Sequence, residues 1–289
     1  MVVRKQKTLA GIEIVIPVHN SLDFVYTLLD SVAIQEQAVI SKTIIVDDGS
    51  DRKTTQALAA LGNQNQSLSI LRNVRRQGFT KSANRGLRET SSPIVFLLNS
   101  DTVLGPRALF RMTQALLKES SFGIVGPLSN SGGFQSIPRF RKNFFEKVIR
   151  STPKNPMPSW EQIVQTDTVL AERFGEQSAE VPFLNGFCLG IKRAVVETCG
   201  LLDEEAFPDG YGEEIDYCLR AKASGWRTAL VPGAYVAHSK SQSYSFVRRT
   251  ILTTRGINKL KEIHGKDSIQ KLFSEAEMFP THFWESAKE

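Results

Sequence analysis

Residues Pro93-Ile94-Val95-Phe96-Leu97-Leu98 carry no polar side chain, and the run stops abruptly at Asn99-Ser100-Asp101. A continuous apolar run of this length suits a strand covered on both faces, the position of a central strand in a parallel sheet. The rest of the first half is built the same way. Ile12 to Pro17, Thr43 to Asp47 and Leu68 to Leu71 are short strand-like runs. Each is followed by a helical stretch: Ser21 to Gln37, a helix capped by Ser50 or Asp51, and Thr80 to Glu89. Such alternation predicts an α/β fold with a mostly parallel central sheet flanked by helices.

A helix at Pro106 to Lys118 and a strand at Gly123 to Val125 continue the rhythm. From Pro127 to Glu180 glycines, prolines and basic residues interrupt it, which predicts an insertion holding one helix at Trp160 to Phe174. Strand signals return at Val181 to Phe183 and Phe187 to Ile191. Helices follow at Arg193 to Cys199 and Glu213 to Ser224, with extended runs at Arg227 to Val231 and Ala234 to His238. The tail from Phe246 reads as helical and polar enough to lie on the surface. No repeat or low-complexity linker divides the chain, so the expected arrangement is one domain over 1–245 and a helical extension over 246–289.

The 289 residues contain enough apolar side chains, 41%, to bury a large core, which excludes a disordered or collagen-like chain. Three cysteines without C-x-x-C spacing argue against a disulfide framework or a structural zinc site and predict a reducing, cytoplasmic setting. No run approaches the roughly 18 to 20 apolar residues that cross a bilayer. The net charge of +6 favours anionic partners. It comes without any block of five basic residues, so nucleic acid is not an expected partner.

In open α/β sheets, ligands collect beyond the carboxyl ends of the strands. Three such ends are polar: Pro17-Val18-His19-Asn20, Asp47-Asp48-Gly49-Ser50 and Asn99-Ser100-Asp101. Neither a dinucleotide fingerprint nor a P-loop occurs at the first turn. Asp48 can accept hydrogen bonds from a base or ribose and His19 can lie against a base, so a nucleoside fits these ends better than a bare phosphate. Asp101 is placed to offer a carboxylate to a hard divalent cation, and His238 ends an extended run with an imidazole that Mn²⁺ accepts. The densest polar cluster is Asp209 to Arg220. On a helix starting near Glu213, Glu213 and Asp216 share a face, and an acid in this first turn is a candidate general base. The same acids complement a helix dipole without any catalytic role.

Taken in order, Ile14 to Asn20, Val46 to Ser50, Gly78 with Asn84-Arg85-Gly86, Leu97 to Asp101, Asn185-Gly186-Phe187 and Gly212 to Arg220 resemble the family 2 glycosyltransferases of GT-A fold, in particular their rhamnosyltransferase-like branch. The resemblance runs from Ile12 to His238. It implies an inverting transferase that uses a nucleotide-activated sugar and a divalent cation, Mn²⁺ or Mg²⁺. Position by position, it assigns Pro17, His19, Asn20, Asp48, Gly78, Lys81 and Ser100 to the nucleotide, with Gly78 letting the chain pass close to it. Asp101 and His238 fall to the metal, and Gly186, Phe187 and Glu213 to the sugar or acceptor. Asn99 replaces the first acid of the family's D-x-D motif, and Glu214 replaces the Asp of its E-D pair. Glu214 is therefore the expected base, with Glu213 or Asp216 as substitutes.

The implied acceptor is a hydroxyl of a glycan or lipid-linked molecule in cell-surface polysaccharide synthesis, met at the inner face of the membrane through peripheral association. Arg139, Arg141 and Lys142 would suit its negative charge. A UDP- or dTDP-sugar is the favoured donor, and oligomeric state is left open. The two motif departures also allow an alternative, a nucleotide-sugar-binding module with weak or no catalysis.

Overall fold

The computed structural model describes residues 11–35, 37–137, 157–239 and 246–286. Its sheet is ordered β3-β2-β1-β4-β8-β6-β9-β5, with β7 pairing β9 from the side. The strands are β1 (Ile12–Val18), β2 (Ile40–Asp48), β3 (Leu68–Asn73), β4 (Ile94–Leu98), β5 (Thr102–Leu104), β6 (Phe122–Leu128), β7 (Ala179–Glu180), β8 (Cys188–Lys192) and β9 (Arg227–His238). The helices are α1 (Leu22–Ala33), α2 (Arg52–Gln64), α3 (Phe79–Arg88), α4 (Ala108–Lys118), α5 (Trp160–Phe174), α6 (Arg193–Cys199), α7 (Glu213–Ala223), α8 (Phe246–His264) and α9 (Lys266–Ser286).

Every residue of β1 and β4 is buried, as expected for strands with helices on both faces. Strands β3, β2, β1 and β4 are mutually parallel. β8 then enters antiparallel between β4 and β6, and β6 and β9 are parallel again. This one reversal matters for the site. Leu98 pairs with Cys188, so the segment entering β8 arrives at the same sheet edge that β4 leaves.

Local chemistry explains the elements around that edge. Asp51 caps α2 by accepting from Thr54 N at 2.8 Å. α3 buries Thr80, Ser82, Ala83, Asn84 and Gly86, because small side chains let it lie close on the sheet. A Cβ on Gly86 would meet Val15 Cγ1 at 2.4 Å. The strand expected at Val181 to Phe183 is instead the two-residue β7. Val181 N still bonds Thr228 O at 3.0 Å, and Pro182, lacking an N–H, ends the ladder there. β5 is too short to have stood out in the sequence, and the two extended runs after Arg227 form one strand.

The tail is helical as expected, but it does not simply lie on the surface. Leu252, Leu260, Ile269, Leu272 and Ala276 are buried. Phe273 packs edge-on against Phe183, and Phe279 against Phe134. Positions 269, 272, 276, 279 and 283 form one helical stripe, whose apolar face a polar average conceals. Within the expected insertion, α5 buries Ile163, Leu170 and Phe174 against the body of the fold. Arg139, Arg141 and Lys142 lie outside the described residues.

Candidate active site

Three strand ends and one helix start meet in a cleft of about 520 Å³. At one end lie Pro17, His19, Asp48 and Ser100, and Asp101 and His238 also line it. Gly186, Phe187, Glu213 and Glu214 complete the set brought together from the sequence reading. Asn20, Gly78 and Lys81 are outside the lining.

Asp47 and Asp48 are consecutive in β2 and therefore face opposite ways. Asp47 accepts from Ser50 N, Thr55 Oγ1 and Arg72 Nη1. Its burial opposes ionisation, but these bonds together outweigh it and hold the acid below its ordinary range. Asp48, on the cleft side, accepts Asn73 Nδ2 at 2.9 Å and Gln77 N at 2.7 Å on Oδ1, and Gly78 N at 2.9 Å on Oδ2. A carboxylate has about four acceptor positions, so one remains on Oδ2 for a ligand N–H.

His19 Nδ1 lies 2.8 Å from Asp48 O. A carbonyl only accepts, so Nδ1 carries the proton. Asn20 secures this corner from behind: its N–H donates to Ser50 Oγ and its Oδ1 accepts from Asp51 N. Gly78 has φ +96°, and a Cβ there would stand 2.2 Å from Pro208 O. The close approach found at Gly78 is to a backbone carbonyl of the loop leading to α7, not the approach to a nucleotide that the family resemblance implies, and Gly78 itself does not line the cleft.

Asp101 and His238 are brought together by the antiparallel β5–β9 ladder, in which Thr102 pairs with His238. Asn130 clamps the His238 backbone, accepting from its N–H at 2.8 Å and donating to its carbonyl at 3.2 Å. His238 Nδ1 faces Ser131 O at 3.3 Å, and Nε2 lies 3.3 Å from Asp101 Oδ1. With the proton on Nδ1, Nε2 presents a lone pair to a carboxylate oxygen, and two acceptors face each other. Either a second proton or a cation between them resolves that contact. Asn99 Oδ1 is also buried without a partner. Among the described residues no group of three or more His, Cys, Asp or Glu surrounds a point. The donor set is one carboxylate, one imidazole and one amide oxygen, which fits a cation that completes its shell from substrate oxygens and water.

Glu213 and Glu214 begin α7. Before them Gly210, Tyr211 and Gly212 all have positive φ, a tight turn that aims the helix start into the cleft. Gly212 N donates to Glu213 Oε2 at 3.0 Å and to Glu214 Oε2 at 3.1 Å. Burial pushes both acids up, Glu213 furthest, because it also faces the Glu214 charge. A side-chain hydrogen bond between them favours a proton on Glu213 and a carboxylate on Glu214. A Cβ on Gly186 would lie 3.3 Å from Glu214 Cβ. Asp216 is held elsewhere, by Arg220 Nε at 2.7 Å and His264 Nε2 at 2.8 Å, and is not part of the lining.

The cleft also contains residues that the sequence reading did not single out, including Arg76, Arg249, Thr253 and Ile257. The last three come from α8, where no motif marks them.

The chain matches the family described as "Glycosyltransferase like family 2" over residues 10–258. It belongs to glycosyltransferase family 2. An N-acetylglucosaminyl-diphospho-decaprenol L-rhamnosyltransferase of Mycobacterium tuberculosis is 28% identical over 150 residues, 52% of this chain and 48% of that protein. The chain thus spans about half the length of this curated relative. A mannosyltransferase of Pyrobaculum calidifontis, solved with GDP-Man and Mn2+, has a TM-score of 0.61 at 16% identity, covering 94% of this chain and 70% of the other. S. aureus TarS with UDP-GlcNAc gives 0.57 at 16% identity, covering 93% and 72%. These structural neighbours show the GT-A glycosyltransferase fold for this chain.

Proposed function

We propose that this family 2 member is an inverting glycosyltransferase that moves a sugar from a nucleoside-diphosphate donor to a hydroxyl of a glycan or lipid-linked acceptor. The observation that carries the reading is the unequal pair at the α7 start, buried Glu213 and half-buried Glu214, in the same cleft as Asp48 and the Asp101–His238 pair. UDP- or dTDP-sugars are the favoured donors, because the free position on Asp48 can accept a pyrimidine imide N–H. The rhamnosyltransferase relative, named for a diphospho-decaprenol acceptor, supports a lipid-linked one. Such an acceptor would bring the protein to a membrane surface, and no described helix is long and apolar enough to cross one.

Pro17, His19 and Ser100 bound the nucleoside pocket beside Asp48. Asp101 and His238, with Asn99 Oδ1, would hold a Mn²⁺ or Mg²⁺ ion, which when bound supplies positive charge against the leaving diphosphate. Glu214 takes the proton of the acceptor hydroxyl. That oxygen attacks the anomeric carbon from the face opposite the diphosphate, the carbon–oxygen bond to phosphate breaks, and its electron pair leaves with the nucleoside diphosphate. One displacement inverts the configuration. Glu213, holding its proton, donates to Glu214 and keeps it aimed. Gly186, with no side chain, leaves room beside the base, while Phe187 stacks on His238 with ring centroids 5.2 Å apart.

The test is release of nucleoside diphosphate from a panel of UDP-, dTDP- and GDP-sugars, with and without Mn²⁺, by the wild type and Glu214→Gln. Turnover that is lost in the variant supports the reading. Binding without turnover by the wild type would instead identify the module that only holds a sugar nucleotide.

A further inference from the structure

Arg249 is the feature of the cleft that the reaction above does not use. It sits on α8 with Thr253 and Ile257, one and two turns further on, so one face of this helix forms a wall of the cleft. The wall is held in place by close packing. A Cβ on Gly256 would stand 1.7 Å from Tyr211 O, and Leu260 Cδ1 lies 3.4 Å from the Cβ position of Gly212. Hence α8 rests on the tight turn that presents Glu213 and Glu214. Arg249 Nε is buried and has no hydrogen-bond partner among the described residues. A guanidinium N–H withdrawn from water without an acceptor is costly, and an anion in the cleft would relieve that cost. The same cleft leaves Asn99 Oδ1, an acceptor, equally unpartnered. The two orphans have opposite polarity, as expected around a ligand carrying both an anion and its counter-cation.

Building on the transferase reading, we propose that Arg249 clamps a diphosphate in the cleft, so that the C-terminal helix completes the substrate site. A guanidinium suits this role because its fork of donors can engage two phosphate oxygens at once. Two molecules could bring that diphosphate, the donor nucleotide or a lipid-linked acceptor, and the experiment separates them.

Full-length wild type, Arg249→Gln and Arg249→Lys are titrated calorimetrically with UDP in the presence of Mn²⁺, and separately with farnesyl diphosphate. Arg249→Gln should weaken one probe at least tenfold while changing the other less than twofold. The affected probe names the source. Arg249→Lys should recover part of the loss, which a purely structural role would not predict. If Arg249→Gln melts like the wild type and binds both probes unchanged, the clamp is overturned while the transferase reading stands. If the wild type binds neither probe, both fall. Should Arg249→Gln not fold, the lysine variant decides: equal affinity for both probes refutes a fork-shaped contact.

Discussion

The two acids that start α7 should behave very differently when each is replaced by its amide. Both accept the single Gly212 N–H, which keeps their bonded oxygens within about 6 Å of each other. At that separation, with an effective dielectric constant of about 20, two full charges repel by about 3 kcal/mol, so the two acids lose their protons in separate steps. Burial lifts both steps above the ordinary glutamate range. Glu214→Gln removes the base and should lower kcat about 10²- to 10⁴-fold. Glu213→Gln keeps a hydrogen-bond donor and should stay within about fivefold of the wild type, at the low end of what one uncharged contact supplies.

The pH profile of kcat/KM for nucleoside diphosphate release should rise at the lower step in both the wild type and Glu213→Gln. Only the wild type should change again at the upper step, when Glu213 ionises. Stability follows the same proton. Because Glu213 holds its proton to higher pH when folded than when unfolded, it contributes stability that is complete below the ordinary glutamate value and is lost as pH rises through the raised one. Urea midpoints should therefore fall toward alkaline pH in the wild type and much less in Glu213→Gln. The assignment fails if the two amide variants lose activity equally, or if Glu214→Gln keeps more than a tenth of wild-type turnover.

Gly78→Ala should destabilise the fold by at least about 2 kcal/mol, because φ +96° penalises a side chain and the new methyl meets a backbone carbonyl; an unchanged urea midpoint would contradict this. His238→Ala should abolish the extra thermal stabilisation that Mn²⁺ adds to the UDP complex while leaving the melting of the protein alone within a few degrees, and chelation of the wild type should do the same. Asp48→Asn sets an amide against three N–H donors and should weaken UDP at least tenfold by calorimetry. Asp216→Ala leaves Arg220 and His264 without their shared carboxylate and should cost about 3 kcal/mol of stability, read from chemical denaturation.

The sequence alone determined the strand and helix rhythm of the first half, because fully buried strands must be apolar and the residues that end them must be polar or turn-forming. The same logic marked Asp48 and Asp101 by their places at strand ends and the acids from Glu213 to Asp216 by theirs at a helix start, while only the family resemblance singled out Glu214 among them. Tertiary structure decided what chain-local patterns do not encode. The antiparallel entry of β8 carries Gly186 and Phe187 to the edge where Asn99 and Asp101 lie. Pairing of β5 with β9 sets His238 beside Asp101 across more than a hundred residues. Asp216 looked like a spare base and is instead held by Arg220 and by His264, which stands at the far end of α8. That helix, polar on average, turned out to wall the cleft, since a stripe buried against a distant turn shows only when both are in place.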